Sequence, residues 1–154
     1  MANTFTQIHI HVVFAVQNRV SLIQKTWKEQ LYKYIITIIQ KHEHKVLAIG
    51  GMSDHIHILF GFRPTQALSN LIQEMKRDSS EWINQQRFTT GRFSWQEGYG
   101  AFSYSKSHVI KVVRYIETQE EHHKKKTFID EYKKILNDFD LKYDERYIFK
   151  PIDE

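Results

Sequence analysis

The stretch Asp54-His55-Ile56-His57-Ile58-Leu59-Phe60 begins by alternating histidine with isoleucine. Such alternation predicts a β-strand with two unlike faces, because successive side chains of a strand point to opposite sides of the sheet. We expect the isoleucines and Phe60 on one face and His55 and His57 on the other. Two imidazoles at this spacing stand side by side, close enough to bind one divalent ion. The alternative is a half-buried strand whose polar face happens to carry histidine, and a metal would need a third ligand from elsewhere.

The length and composition indicate one domain, covering residues 1–154, with a core of its own. Cysteine is absent, which excludes a disulfide framework, a cysteine zinc site and a thiol nucleophile. No basic and apolar leader opens the sequence, and no apolar run approaches the roughly 18 residues of a membrane span, so we expect a cytoplasmic protein without a membrane segment. The formal net charge of +4 and the pI near 9.2 permit binding to nucleic acid without demonstrating it.

Three further segments are predicted strands: residues 6–16, 45–50 and 101–104. The first of them alternates like the opening stretch, with His9 and His11 opposite its apolar residues. Gly50-Gly51 predicts a turn into the strand of His55. If the first and third strands are neighbours, four histidines line one side of the sheet.

Apolar residues at helical spacing predict helices between and after these strands. We expect the first helix to begin at a capping box, residues 26–29, the second at Pro64-Thr65, and the last behind an N-cap at Thr127. Their apolar stripes are interpreted as core rather than as cofactor contacts. Residues 87–100 carry glycines among aromatics without regular spacing and predict an irregular loop.

A helix capped by Ser105 or Ser107 has two distinct faces. Its apolar face contains Val109, Val112, Val113 and Ile116, and its second face aligns His108, Lys111, Tyr115, Gln119 and His122. That second face presents a phenol, an amide, a cation and two imidazoles in line. An ordinary half-buried tyrosine with a hydrogen-bonded tip is the alternative interpretation.

The order strand, helix, strand, strand, helix, strand, helix predicts an α+β fold, a ferredoxin-like or RRM-like sandwich. In that topology the first and third strands are central in an antiparallel sheet, and the two long helices cover its apolar face. The four histidines then point from the other face. The helix of Tyr115 and Gln119 is the element expected to cover them.

His55-Ile56-His57, followed about sixty residues later by Tyr115 and Gln119, resembles the single-tyrosine HUH transposases of the smallest bacterial insertion sequences, the TnpA-like group. The resemblance runs from the first strand through Gln119 and is weakest after about Thr127. It implies a single HUH transposase domain in which His55, His57 and Gln119 bind a divalent metal, Mg²⁺ or Mn²⁺. Tyr115 would attack single-stranded DNA at hairpins that mark the element ends. A homodimer whose active sites are shared between subunits is also implied.

The chemistry is consistent with these residue types. A tyrosine hydroxyl, with a pKa of about 10, is a poor nucleophile at neutral pH, and an anionic phosphodiester resists attack. A metal on the phosphate oxygens neutralises developing charge, and exchanging one phosphoester for another needs no nucleotide energy source. Lys111 and His108 are candidates for the general base. Lys76, Arg77, Lys106, Lys111 and Arg114 are candidates for phosphate contacts, although single basic residues on helices are mostly solvated.

Two other functions stay open at this stage. Two strand-borne His-x-His motifs are similar to those of two-histidine RNA phosphoesterases, which use no metal or tyrosine, but those enzymes have Ser or Thr where this chain has His11 and His57. A non-catalytic single-strand-binding module would stack bases on its sheet face, where aromatics rather than histidines are expected. His9 and His11 are interpreted as sheet-face or substrate-facing residues rather than ligands.

Overall fold

The computed structural model describes residues 4–124 and 126–143, and a four-stranded antiparallel sheet lies at its centre. The strands are β1 (His9–Ala15), β2 (Lys45–Met52), β3 (His55–Gly61) and β4 (Gly100–Ser103). Their order in the sheet is β2-β3-β1-β4, with every neighbouring pair antiparallel. The predicted central position of the first and third strands is confirmed. In this register Val13 of β1 lies opposite His57 of β3.

The helices lie on both faces of this sheet. Helices α1 (Lys25–Lys41) and α2 (Leu68–Gln86) cover one face, and α3 (Val109–Glu117), α4 (Gln119–His122) and α5 (Phe128–Asp138) cover the other. Short 3₁₀ turns occupy Gln17–Arg19 and Lys106–His108. The predicted ferredoxin-like α+β sandwich is confirmed, with the tyrosine helix α3 on the second face. None of the helices in the described ranges combines the length and apolar character that crossing a membrane requires.

The main core fills the space between the sheet and the two long helices. Phe14 of β1 and Ile58 of β3 are fully buried there, against Leu31 of α1 and Met75 of α2. Burying each such side chain contributes about 1.5–3 kcal/mol. The alternation that predicted β1 and β3 is therefore explained by this core, because only every second residue reaches it.

The second face combines apolar packing with the histidines. Val13 and Ala15 of β1 pack against Phe128 and Tyr132 of α5, and they share this face with His11. Covering both faces buries all side chains of β3 from His55 to Phe60. The histidine side is thus a buried interface between the sheet and the second layer of helices.

The prediction of a turn at Gly50-Gly51 is wrong, because both residues lie inside β2 and the turn falls at Ser53-Asp54. A β-carbon on Gly50 would stand 2.3 Å from the carbonyl oxygen of Ile116, and one on Gly51 would stand 2.2 Å from that of His55. The glycines therefore permit close backbone approach, of α3 to β2 in the case of Gly50. This approach brings the tyrosine helix onto the sheet.

The predicted starts of the helices are partly wrong. Helix α1 begins at Lys25 without a side-chain cap, so the capping box does not form, and α2 begins at Leu68 rather than at Pro64. Neither Ser105 nor Ser107 caps α3, which follows a 3₁₀ turn. The cap at Thr127 is confirmed: its hydroxyl accepts a hydrogen bond from the Asp130 amide.

The predicted helix through His122 is interrupted at Thr118, between α3 and α4. The Thr118 hydroxyl donates to the Arg114 carbonyl at 2.7 Å, a back-bond to the preceding turn that bends helices. The interruption lies between Tyr115 and Gln119. The sequence pattern implied that these two side chains lie on one straight helix, and the interruption shows that they do not.

Candidate active site

The histidine pair of β3 is fully buried beneath α4 and α5, with both side chains 0% exposed. His55 donates from Nδ1 to Asp54 Oδ1 at 2.7 Å, since a carboxylate can only accept. Its Nε2 lies 3.1 Å from Gln119 Oε1. The carboxylate therefore orients the ring and turns Nε2 toward the second layer of helices.

His57 is held at both ring nitrogens. Its Nε2 lies 2.9 Å from Glu131 Oε1 on α5, and its Nδ1 lies 2.8 Å from Nε2 of His11 on β1. Burial lowers the pKa of His57, and although the Glu131 carboxylate opposes this, the net direction is downward. His57 is accordingly a neutral imidazole near pH 7.

Tyr115 projects from α3 toward the histidine pair of the same chain. Its hydroxyl donates a hydrogen bond to Glu131 Oε2, and its ring meets His57 edge-on with centroids 5.7 Å apart. Burial and the adjacent Glu131 charge raise the pKa of Tyr115 above its ordinary value. In this arrangement the hydroxyl is therefore protonated.

Gln119, the first residue of α4, is 2% exposed and fixed at both ends of its amide. Its Nε2 donates to the Tyr115 carbonyl at 3.2 Å, which directs Oε1 toward His55 and toward Nε2 of His123, each 3.1 Å away. The sequence prediction that Tyr115 and Gln119 converge on the histidine pair agrees with this geometry.

Glu131 is the residue at the centre of the site that the sequence interpretation missed. It is 5% exposed on the buried side of α5, where it interrupts an apolar stripe of Phe128, Tyr132 and Ile135. A charged residue at a core position of an amphipathic helix was the available signal, because buried charges require partners. Its role was not evident because its histidine partner on β3, His57, is 74 residues away in the sequence.

His123 supplies a positive charge beside Glu131. Its Nδ1 lies 2.8 Å from the Lys126 carbonyl oxygen and its Nε2 lies 3.3 Å from Glu131 Oε2, so it donates from both nitrogens as an imidazolium. Burial lowers the pKa of His123, but Glu131 and the carbonyl outweigh it and the net shift is upward. In turn, although burial opposes ionisation of Glu131, hydrogen bonds from His123 and His57 hold its pKa well below the usual range.

Four side chains of this site offer ligand atoms that fit a divalent cation. Atoms of His55, His57 and Glu131 lie within 4.8 Å of one another, and Gln119 Oε1 adjoins them. In the tautomer with its proton on Nδ1, His55 faces Gln119 Oε1 with the lone pair of Nε2, and a shared cation would relieve this approach of two acceptors. Adjacent ligand atoms of Mg²⁺, each about 2.1 Å from the ion, are roughly 3 Å apart. Here Glu131 Oε1 lies 2.9 Å from His57 Nε2 and 3.5 Å from His55 Nε2, and His55 Nε2 lies 3.1 Å from Gln119 Oε1.

A cleft of about 680 Å³ leads from solvent to Tyr115 between α3 and α5. Six basic side chains line it: His108, Lys111, His122, His123, Lys126 and Lys134. Three acidic residues, Glu121, Glu131 and Asp138, also line it, and Asp138 is paired with Lys134 at 2.8 Å. The Glu131 carboxylate therefore lies at the tyrosine hydroxyl, and Lys111 and Lys126 supply positive charge along the cleft.

The five predicted phosphate-contacting residues occupy different environments. Lys111 lines the cleft, and Lys106 and Arg114 are exposed near it on the same segment of chain. Arg77 is exposed on α2 and paired with Asp78 at 3.0 Å. Lys76 donates to the carbonyls of Gln96 and Gly98 at 2.6 and 2.8 Å, so its ammonium group fastens the loop before β4.

The two histidines of β1 also differ. His9 is partly exposed near the end of the strand, whereas His11 is 1% exposed and contacts His57. Burial and the neighbouring His57 lower the pKa of His11. His11 thus belongs to the buried site, and its position excludes direct contact with substrate.

Comparisons with known proteins identify the family of this chain. Residues 4–119 match the sequence profile of the IS200-like transposases, whereas a comparison with curated proteins gave no match. The fold is similar to that of a candidate transposase from Deinococcus radiodurans R1 (TM-score 0.62, 18% identity, covering 77% of this chain and 95% of that one). It is also similar to that of a REP-associated tyrosine transposase bound to a REP hairpin (TM-score 0.60, 15% identity, covering 80% of this chain and 73% of that one). The chain therefore belongs to the IS200-like family of single-tyrosine HUH transposases.

Proposed function

We propose that this transposase cleaves and rejoins single-stranded DNA at hairpin-marked element ends through a covalent bond between Tyr115 and a 5′ phosphate. The observation that carries the proposal is the shared carboxylate of Glu131, which accepts from the Tyr115 hydroxyl with one oxygen and contacts His57 with the other. A nucleophile and a cation-binding histidine are thereby held beside one another in a buried site that opens to solvent through the cleft.

Cleavage in this proposal is a transesterification. The Tyr115 oxygen attacks phosphorus, the bond from phosphorus to the 3′ oxygen breaks, and that oxygen leaves and takes up a proton. Glu131 Oε2 receives the hydrogen of the attacking hydroxyl, so it orients the phenol and is positioned to take its proton. The reverse reaction, with a new 3′ hydroxyl as nucleophile, rejoins the strand without an energy source.

His55, His57 and Gln119, joined by Glu131, are the residues that would hold Mg²⁺ or Mn²⁺. The ion, when bound, supplies positive charge against the phosphate oxygens. Asp54 holds the His55 ring in place, and the Tyr115 carbonyl holds the Gln119 amide. The carboxylate of Glu131 adds a negative ligand to three neutral ones, which favours a hard divalent ion.

The cleft is the proposed path of the DNA strand. Lys111 and Lys126 line it without an acidic partner among the described contacts, and both can bind backbone phosphates. Lys106 and Arg114 extend this basic surface along the chain. Lys76 is engaged with backbone carbonyls, so its predicted phosphate contact would require it to leave Gln96 and Gly98.

Hairpin recognition is proposed from the second structural relative, whose title describes it as bound to a REP hairpin. The two alternative functions are less well supported. The two histidines that a phosphoesterase would use, His9 and His55, lie at opposite ends of the β1–β3 pair, because His9 is opposite Gly61 and His55 is opposite Ala15, so they do not flank one phosphate. Helices α3 to α5 cover the sheet face on which a binding module would stack bases.

Trapping of a covalent adduct tests the proposal. We expect the protein, incubated with Mn²⁺ and a single strand carrying an element-end hairpin, to remain on the 5′ end of cleaved DNA through denaturing electrophoresis. Tyr115→Phe removes one oxygen and little volume, so it should bind the hairpin and form no adduct. An adduct that maps by peptide mass to another tyrosine, such as Tyr104, would refute Tyr115 as nucleophile, and cleavage without any adduct would indicate hydrolysis instead.

A further inference from the structure

His11 has no role in the chemistry described so far, yet it is among the most buried polar residues of the chain. It is 1% exposed on β1, and its ring stacks on that of His57 with centroids 5.1 Å apart. Its Nε2 lies 2.8 Å from His57 Nδ1, and its Nδ1 lies 3.4 Å from the Tyr104 hydroxyl. A buried histidine with a partner at each nitrogen is held in a defined orientation.

We propose that His11 is a positioning residue whose tautomer changes together with that of His57. This joint change lets His57 bind a cation through the Nε2 lone pair while its Nδ1 stays hydrogen-bonded to His11. The inference rests on the proposed function, because it concerns the same cation site. It adds His11 and Tyr104 to the residues that support that site.

The proton positions without a cation follow from the partners. The Glu131 carboxylate only accepts, so His57 carries its proton on Nε2 and must accept at Nδ1. His11 then donates from Nε2 to His57, and its own Nδ1 accepts from the Tyr104 hydroxyl. Each hydrogen bond in this chain of residues has one donor and one acceptor.

A cation on His57 Nε2 requires the opposite arrangement. The His57 proton must then lie on Nδ1 and be donated to His11 Nε2, and His11 must carry its proton on Nδ1, directed at the Tyr104 oxygen. The His57 Nε2 proton leaves to solvent as the cation binds, the His11 Nε2 proton passes to His57 Nδ1, and His11 Nδ1 takes up the proton of the Tyr104 hydroxyl, which solvent replaces. Both imidazoles therefore stay neutral, and both contacts are kept with donor and acceptor exchanged. A tyrosine hydroxyl at the end of the chain of residues serves both states, because it donates and accepts equally well.

Few kinds of side chain at position 11 would serve both states. An apolar residue would leave His57 Nδ1 buried without a partner, and a carboxylate could only accept. Glutamine can present an amide oxygen or an amide nitrogen near the position of His11 Nε2, so it can partner either tautomer. His9 provides a matched control, because it lies two residues away on the same strand and face but pairs with Gly61 at the sheet end.

Metal binding to the DNA-free protein tests the inference apart from catalysis. We expect His11→Leu to weaken Mn²⁺ affinity by about 10- to 100-fold, the usual effect of removing a residue that orients a metal ligand. His11→Gln should keep the affinity within about threefold of wild type, and His9→Leu should leave it unchanged. Wild-type affinity in His11→Leu, an equal loss in His11→Gln, or no Mn²⁺ binding by the wild-type chain would overturn the inference.

A second measurement needs no variant. Nitrogen-15 NMR of the wild-type imidazoles should find the His57 proton on Nε2 without cation and on Nδ1 with Mg²⁺, and the His11 proton should move in the same direction. A His11 ring that keeps one tautomer through the Mg²⁺ titration overturns the inference. The adduct assay reads the proposed function independently, since loss of the adduct with unchanged Mn²⁺ binding would leave the role of His11 intact.

Discussion

At the scale of single residues, the site depends on the two carboxylate oxygens of Glu131, which contact different partners. One oxygen faces His57 and the other accepts from Tyr115, while His123 neutralises the charge from the side. The carboxylate therefore connects Tyr115, the proposed nucleophile, to the histidines proposed to bind the cation. Burial and the charge of Glu131 both raise the pKa of Tyr115, so the phenol is protonated in this arrangement.

Glu131→Gln should lower the single-turnover rate of adduct formation by about 100-fold or more, since the amide keeps the shape but cannot take the tyrosine proton. Quenched-flow sampling on denaturing gels measures this rate. Glu121→Gln is the matched control, because Glu121 lines the same cleft and is exposed, and its rate should be unchanged. A faster reaction in Glu131→Gln would instead mean that the carboxylate restrains the site.

The residues that the sequence predicted in this site are those with a local pattern. His55 and His57 share a strand, and Tyr115 and Gln119 are one helical turn apart, so spacing alone brings each pair together. Glu131 has no such pattern, because it joins the site only after α5 folds back over β3, and His123, although four residues from Gln119, pairs with Glu131 only in that fold. Proximity of this kind is a tertiary property that periodicity does not encode.

At the scale of elements, the position of α3 depends on the glycine at position 50. The Ile116 carbonyl oxygen occupies the space that a β-carbon would take, so the helix of Tyr115 lies directly on β2. A glycine inside a strand has no side chain to pack and so weakens the strand. Its contribution is the close approach of α3, and hence of Tyr115, to the sheet.

Gly50→Ala should therefore destabilise the fold by about 1–3 kcal/mol and displace Tyr115, because the overpacked contact is with backbone. Chemical denaturation and the adduct assay measure the two effects. Gly91→Ala is the control, since no atom lies within 4 Å of its β-carbon position. Its free energy of unfolding should stay within about 0.5 kcal/mol of wild type. A Gly50→Ala protein that keeps both stability and activity would show that α3 can shift without consequence.

Lys76 fastens the loop before β4 to α2, and burial lowers its pKa to about 8. Between pH 8 and about 10.4, the usual lysine value, the unfolded chain therefore binds a proton at this position that the folded chain has released. The contribution of Lys76 to the free energy of unfolding should therefore rise with pH across that window. The unfolding free energy of wild type relative to Lys76→Met should accordingly be greater at pH 9.5 than at pH 7. An equal difference at both pH values would contradict the lowered pKa.

The elements themselves were largely predictable, and their boundaries were less so. Alternation identified β1 and β3 because their two faces meet different surroundings, a core on one side and the histidine site on the other. Gly50-Gly51 was misread as a turn because glycine serves turns and close backbone contacts equally well. Pro64 was misread as a helix start because a proline is compatible with a helix start as well as with an extended segment, and local sequence does not separate the two.

At the scale of the whole molecule, one chain brings together every group of the site. Tyr115 on α3 and His57 on β3 of the same chain meet at the same carboxylate, and Gly50 lets α3 pack closely on the sheet beside them. Only residues 104–108 connect β4 to α3, which is a short connection for carrying a helix to another subunit. The homodimer and the sharing of sites between subunits remain predictions from the family resemblance.

Mixing two inactive variants decides between a site within one chain and a site shared between two. Because Tyr115 and His57 already meet within one chain, we expect a mixture of His57→Ala and Tyr115→Phe proteins, refolded together, to form no more adduct than either variant alone. Differently tagged chains and pull-down establish whether mixed dimers are present. The His57→Ala chain keeps its tyrosine, so an adduct on that chain in mixed dimers would require the histidines of its neighbour. Such an adduct would mean that α3 crosses between subunits and that the arrangement within one chain is a resting form of the enzyme.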